Sequence, residues 1–207
     1  MQQIKEIRTI IRSSETKYKE KGSVFTGKVF HINSEKEAEL ILNDARKKFY
    51  DATHHCFALR LSAGSFKYSD DGEPNGTAGI RILNAIDHFD LTNLIVIVIR
   101  YFGGIKLGVG PLGKAYYTTA LQLLQESQII TLKPYKKLFI SAGFSHISSI
   151  HRVLSVHNAI IKNSVYDTTA NFECLAEINK IQSISFELKD ISKGEIEISE
   201  KDEVEFL

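Results

Sequence analysis

The chain has 207 residues, of which 43% are hydrophobic and 25% charged; this ordinary globular usage excludes disordered, collagen-like and coiled-coil proteins. The net charge of +1 excludes a surface that is basic throughout, so any contact with nucleic acid must come from a local patch. The chain has only two cysteines and no C-x-x-C motif, which predicts no disulfide framework and no zinc ribbon. The longest apolar run covers only residues 94–99, and the N-terminus is charged, so we expect a cytoplasmic protein without membrane contact.

Strand and helix patterns alternate along the first part of the chain. Residues 21–32 are rich in β-branched and aromatic side chains and predict a strand. Ser34 begins a capping-box pattern, which predicts a helix that starts there. Residues 54–61 and 65–70 flank Ala63-Gly64 and predict a β-hairpin.

A buried strand and a helix are predicted next. Thr77 stands where it can cap a helix. Residues 94–102 form a nearly continuous apolar segment, typical of a strand that is buried on both faces. A glycine-rich loop follows, and then a helix over residues 111–125. We place a boundary at the end of this unit, so that residues 1–130 form a first domain.

Residues 131–207 predict a second domain with the order β-α-β-β-α-β. Strands are expected at residues 137–144 and 195–206, with one or two more within residues 165–178, and helices at residues 146–157 and 181–188. The last segment alternates charged with apolar side chains and predicts a solvated edge strand. This order is typical of a ferredoxin-like fold, so the predicted fold class is α+β with two domains.

The loop YSDDGEPNGTAG, residues 68–79, carries three carboxylates, those of Asp70, Asp71 and Glu73. Carboxylates at a strand end can hold Mg²⁺ through water molecules. The spacing here matches no metal-binding loop, and turn glycines with a proline favour a second role, in which the carboxylates accept hydrogen bonds from backbone N–H groups or pair with an arginine. We therefore expect no metal and no cofactor, and an architectural loop.

The segment RYFGGIKLGVGPLGKAY, residues 100–116, nearly contains a phosphate-binding loop. An NTPase is disfavoured because Ala115 replaces the hydroxyl that would hold Mg²⁺ and Pro111 lacks a backbone N–H. Two interpretations stay open. The glycines allow an anion to approach a helix N-terminus beside Lys106 and Lys114, or they only allow close packing between the strand and the helix.

Histidine and cysteine side chains raise the question of nucleophilic catalysis. Strand alternation places His54 and Cys56 on one face and His55 on the other. A Cys/His pair can act as nucleophile and base, but Cys56 lies in an apolar strand and is better interpreted as a core residue. The later histidines, His146, His151 and His157, lack the spacing of helical metal ligands and predict a solvated face.

Three motifs in this order, DATHHCFALRL (51–61), YSDDGEPNGTAG (68–79) and LTNLIVIVIRYFGGIKLGVGPLGKAY (91–116), resemble the IMPACT/YigZ family. The resemblance implies a first domain like the second domain of a small-subunit ribosomal protein and domain IV of elongation factor G. It also implies a ferredoxin-like second domain. Eukaryotic members of the family regulate translation through protein contacts. The family-motif residues in this chain are His54, His55, Asp70, Asp71, Glu73 and Thr77.

The chain departs from the family pattern Gly-Gly-Leu-x-Arg-Ala-Tyr at the start of the last predicted helix of the first domain. It has Pro111 at the second position and Lys114 in place of the arginine. A lysine keeps the charge but loses the planar guanidinium that binds phosphate through two hydrogen bonds.

From these observations we expect a non-enzymatic protein that binds RNA or a ribosome- or translation-associated protein and regulates translation. Tyr101 is the candidate for stacking on a base. The expected contact residues are Arg100, Tyr101, Gly103, Gly104, Lys106, Gly108, Gly110 and Lys114.

The alternative is a small hydrolase or transferase that uses the carboxylates of Asp70, Asp71 and Glu73, with His54 or His55 as a partner. Carboxylates occupied by backbone N–H groups or arginines favour the binding protein. Carboxylates that coordinate a metal or an anion favour the enzyme.

Overall fold

The computed structural model describes residues 5–62 and 64–207 and is α+β, as predicted. Two compact units divide at residues 131 and 132, and residues 5–6 belong to the second unit. Ala63, in the predicted hairpin turn, lies outside the described residues. No described helix is long and apolar enough to cross a membrane.

The first unit contains seven strands and three helices among its described residues. In chain order these are β1 (Ile7–Ile10), β2 (Ser14–Glu20), β3 (Ser23–His31), α1 (Glu35–Lys48), β4 (His54–Arg60), β5 (Phe66–Ser69), α2 (Gly79–His88), β6 (Leu94–Tyr101), α3 (Val109–Gln125) and β7 (Ile129–Leu132).

An antiparallel sheet of five strands, in the order β2-β3-β6-β4-β5, organises this unit. The central strand β6 is buried on both faces, as its apolar sequence predicted. Val96 and Val98 pack against a core that α2 and α3 share, whereas Ile95 and Ile97 face the buried side of α1. The three helices therefore cover both faces of the sheet.

Local patterns predicted part of this unit. Ser34 caps α1, since its hydroxyl accepts a hydrogen bond from the Glu37 N–H at 3.2 Å. The predicted hairpin is β4 and β5. The strand predicted over residues 21–32 is β3, but its partner β2, on the other side of the turn at Lys21-Gly22, was not predicted. The short two-stranded sheet β1-β7 was also missed.

The second unit has the predicted β-α-β-β-α-β order. Its main elements are β8 (Pro134–Ala142), α4 (Ile147–Val156), β9 (Ile160–Tyr166), β10 (Ala170–Glu177), α5 (Ile181–Ile191) and β11 (Glu197–Phe206). The antiparallel sheet order is β11-β8-β10-β9, so the acidic strand β11 lies at an edge as expected. Buried apolar residues of α4 and α5 pack on one face of this sheet, which forms a separate core.

Candidate functional site

The three sequence motifs meet at one end of the five-stranded sheet. At this end β6 finishes and β4 begins, since Arg100 pairs with His54 in the antiparallel register. β3 also begins here, because Val24 pairs with Tyr101. The carboxylate loop leads from here into α2, and the glycine-rich loop leads into α3.

Asp70 holds the start of α2. Its Oδ1 accepts hydrogen bonds from the backbone N–H groups of Ala78 and Gly79, both at 2.8 Å, and its Oδ2 accepts one from Gly76 at 2.9 Å. The cap predicted from Thr77 is wrong. The Thr77 hydroxyl instead donates to the Pro74 carbonyl at 2.6 Å, and Asp70 supplies the acceptor from across the loop.

Asp71 joins the loop to β4 and α1. Its backbone is left-handed, with φ of 44°, and its Oδ2 accepts the His55 N–H at 2.7 Å. Its Oδ1 accepts a hydrogen bond from the Arg46 guanidinium at 3.1 Å. His54 donates from Nδ1 to the Asp71 carbonyl at 2.7 Å, and His55 donates from Nε2 to the Phe49 carbonyl at 3.0 Å. Both histidines are therefore tied to the backbone.

Glu73 is buried beneath the loop, with 4% of its side chain exposed. Its Oε1 accepts hydrogen bonds from Arg100 at 2.6 Å and from the Tyr116 hydroxyl at 2.7 Å. Arg100 also donates to Ser23 Oγ at 3.3 Å, and His54 Nε2 lies 3.8 Å from Glu73 Oε2. Burial raises the pKa of Tyr116, which keeps its phenol protonated as a donor. Glu73 thus links β6 with α3, and Arg100 extends the contact to β3.

Cys56 is a core residue, as the sequence pattern favoured. It has no exposed surface, and its thiol contacts the Asp70 carbonyl at 3.0 Å and the Tyr116 hydroxyl at 3.3 Å. Burial raises the pKa of the Cys56 thiol, so the thiolate that a nucleophile needs is disfavoured. Within residues 5–62 and 64–207, no group of three or more His, Cys, Asp or Glu side chains could hold a metal ion.

The glycines of the glycine-rich loop allow close backbone packing at one position and a positive φ at two others. A Cβ on Gly103 would lie 1.9 Å from the carbonyl carbon of Gly22, so the two backbones are in contact and no larger residue fits. Gly104 and Gly108 have positive φ, 85° and 82°, which glycine adopts without strain. Space around Gly110 is open. Packing between strand ends thus accounts for Gly103, and the rest of the loop before α3 is exposed apart from the buried Leu107.

The predicted contact residues separate into buried and exposed groups. Arg100 is 5% exposed and paired with Glu73, which corrects its assignment to the surface. Tyr101 is half-buried, and its hydroxyl donates to Asp51 at 2.8 Å. Lys106 and Lys114 are exposed. Two of the three predicted cations are therefore available to a ligand.

A cation that the sequence analysis missed completes a groove between α2 and α3. Arg81, in the first turn of α2, is exposed and its Nε donates to the Gly76 carbonyl at 3.2 Å. The groove has a volume of about 480 Å³ and is lined by Arg81, Asn84, Val109, Gly110, Gly113, Lys114 and Tyr117. The sequence signal for this groove is that its lining residues on each helix lie three or four positions apart, which places them on one helix face.

A family model, the Impact N-terminal domain, matches residues 21–124, which contain the whole site described above. The chain belongs to the IMPACT family. IMPACT family member YvyE of Bacillus subtilis is 29% identical over 82% of this chain and 79% of its own length. IMPACT family member YigZ of Escherichia coli is 29% identical, over 86% of this chain and 89% of its own. A solved crystal structure of a hypothetical protein is 26% identical, with a TM-score of 0.70 over 96% of this chain and 99% of its own.

Proposed function

We propose that this IMPACT family protein is a cytoplasmic, non-enzymatic protein that binds RNA of the translation machinery and thereby regulates translation. One observation carries the proposal. At one end of the sheet, the loop carboxylates are occupied by hydrogen bonds within the protein, whereas Arg81 and Lys114 remain exposed in a groove at the same end.

The carboxylate contacts argue against the hydrolase or transferase. A general base must reach the proton that it abstracts, and a nucleophile must reach its substrate. Glu73 is buried between Arg100 and Tyr116, and Asp70 accepts three backbone hydrogen bonds. Asp71 is occupied by a backbone N–H and by Arg46. These are the arrangements that we expected of a binding protein.

The groove supports a phosphate ligand. Arg81 presents a guanidinium and Lys114 an ammonium, and both contribute to affinity for phosphate by releasing counterions from the nucleic acid. Lys106 adds a third exposed cation in the preceding loop. Gly108, the N-cap residue of α3, provides no side-chain acceptor for the N–H groups of the first turn, in which Pro111 has no N–H.

The experiment is a titration of fluorescently labelled transfer RNA, followed by anisotropy at several salt concentrations. We expect Arg81→Ala/Lys114→Ala to weaken binding and to reduce the slope of log K against log salt by about two, one for each lost phosphate contact. The matched control is Lys36→Ala/Lys162→Ala. These exposed lysines lie on α1 and β9 and make no ion pair within the described part of the chain. α1 follows β3 at the end of the sheet opposite to the groove.

Two results would contradict the proposal. Absence of salt-sensitive binding down to low ionic strength would reject RNA as the ligand and leave a translation-associated protein as the partner to seek. Equal loss of affinity in the groove variant and the control variant would show that binding follows net charge and that the groove is not the site.

A further inference from the structure

Phe102 is an exposed aromatic side chain at the end of a buried strand. It follows β6 directly, yet 47% of its surface is accessible, whereas large aromatic side chains usually contribute to cores or interfaces. The Arg100 guanidinium lies 5.6 Å from the centroid of the ring. The Phe102 ring therefore contacts one cation, and about half of its surface is accessible to a ligand.

The backbone holds this ring in place. The Phe102 N–H donates to the Thr53 hydroxyl at 3.0 Å, and the next residue, Gly103, is pressed against Gly22. Arg100 is in turn fixed by Glu73. Because the backbone that carries the ring is already fixed, a ligand that covers the ring has to order only the side chain.

Tyr101, the residue expected to stack, is less suitable. Its hydroxyl is tied to Asp51 and the residue is half-buried within the sheet. The accessible ring is that of the neighbouring Phe102.

The ring and the groove lie at the same end of the sheet. The loop that begins with Phe102 runs directly into α3, and α2 begins from the carboxylate loop at that end. The same loop exposes Lys106 together with Ile105, which is 57% accessible. A loop with an exposed aromatic ring thus leads into the helix that forms one wall of the cationic groove.

We infer that the RNA partner is single-stranded at this site, with one unpaired base stacked on Phe102 and its neighbouring phosphates bound by Lys106, Arg81 and Lys114. Stacking on an aromatic side chain requires a base face that is not already stacked in a helix, and duplex RNA exposes none along its length. The inference rests on the proposed function and specifies its substrate class.

The chain contains no tryptophan, so Phe102→Trp creates a single fluorescent reporter at this position. We expect a single-stranded 12-nucleotide RNA to quench its fluorescence, because a stacked base lies directly on the indole. The same RNA annealed to its complement should leave the fluorescence unchanged.

Phe66→Trp is a closely matched control. Phe66 is 52% exposed, and the Arg60 guanidinium lies 5.7 Å from its ring centroid. It lies at the opposite end of the sheet, because Phe66 pairs with Arg60 and Arg60 pairs with Leu94, where β6 begins. We expect the single-stranded RNA to leave this reporter unquenched.

A second variant measures the energetic role of the ring. Phe102→Leu keeps an apolar side chain but removes the aromatic face, and we expect it to weaken single-strand binding by about ten-fold, within the range for loss of one stacked base. The salt slope should stay as in the wild type, since no phosphate contact is lost. Phe66→Leu should leave affinity unchanged, and melting curves verify that both variants fold.

The outcomes separate this inference from the proposed function. Equal binding of duplex and single strand, or wild-type affinity in Phe102→Leu, would overturn the stacking inference while the salt-dependent effect of the groove variant still supports RNA binding. Quenching of both reporters alike would also overturn it. Absence of any RNA binding by the wild-type protein would overturn the proposed function and this inference together.

Discussion

The buried ion pair between Glu73 and Arg100 gives the sharpest stability prediction. Their side chains are only 4% and 6% exposed, so water and salt screen the pair little. Glu73→Gln keeps the size of the side chain and a carbonyl acceptor for Tyr116, but it removes the negative charge. The Arg100 guanidinium would then remain buried without a counter-charge.

Loss of one partner from a buried pair typically costs about 3–5 kcal/mol, because the remaining charge keeps its desolvation cost. Domains of this size are commonly stable by only about 5–15 kcal/mol. We therefore expect Glu73→Gln to remove a large share of the unfolding free energy of the first unit. The partly exposed Asp71–Arg46 pair, 27% and 44% accessible, provides a contrast, and its ionic contribution should stay below about 1 kcal/mol.

Urea unfolding followed by far-ultraviolet circular dichroism measures this effect, with the midpoint falling and the slope m unchanged. The double variant Glu73→Leu/Arg100→Met is the companion measurement. It removes both charges, so we expect it to recover most of the lost stability. A loss under about 1 kcal/mol in Glu73→Gln would refute the reasoning, and so would a double variant that is as unstable as the single one.

Three further predictions concern the loop, the glycine contact and the thiols. Asp71→Asn should lower the melting temperature, because the acceptor of the His55 N–H loses its charge. Calorimetry should show that the substitution does not abolish any binding of Mg²⁺. An unchanged melting temperature together with lost Mg²⁺ binding would contradict this prediction. Gly103→Ala should destabilise the first unit strongly, since the new Cβ meets the Gly22 backbone at 1.9 Å; a wild-type melt would be incompatible with that contact. Burial raises the pKa of the Cys174 thiol from 9.0 to about 11. The buried neutral thiol therefore contributes fully to the free energy of unfolding below pH 9, and this contribution is lost as the pH rises towards 11, because the unfolded chain releases the proton first. Urea midpoints across this range should fall less in Cys174→Ala than in the wild type, and identical slopes would disprove the assignment.

The parts of the fold that were predictable depend on short-range signals. The cap at Ser34 and the β4-β5 hairpin each involve residues close together in sequence. β2 has a readable alternation too, because Thr16 and Tyr18 face inward between exposed charges, but its sequence SETKYKE has few apolar residues. The β1-β7 pairing joins segments more than a hundred residues apart, and no local pattern specifies such a partner.

The site was predictable by segment but not by side-chain direction. Arg100 continues a strand predicted to be buried on both faces, which already conflicts with a surface contact; Glu73 resolves this conflict from another loop. Arg81 was missed because it belongs to α2 and reaches the glycine-rich segment only after the two helices pack together. Both errors come from contacts between segments that are distant in sequence.

The carboxylate motif explains how a small loop can determine the shape of the proposed binding surface. Asp70 fixes the start of α2, and Glu73 connects β6 with α3. The groove has one wall on each of these helices, so its width depends on both contacts. Substitutions of the carboxylates should consequently lower stability and RNA affinity together. Substitution of Lys114, which is exposed at the rim, should lower the affinity alone, because the fold does not use its charge.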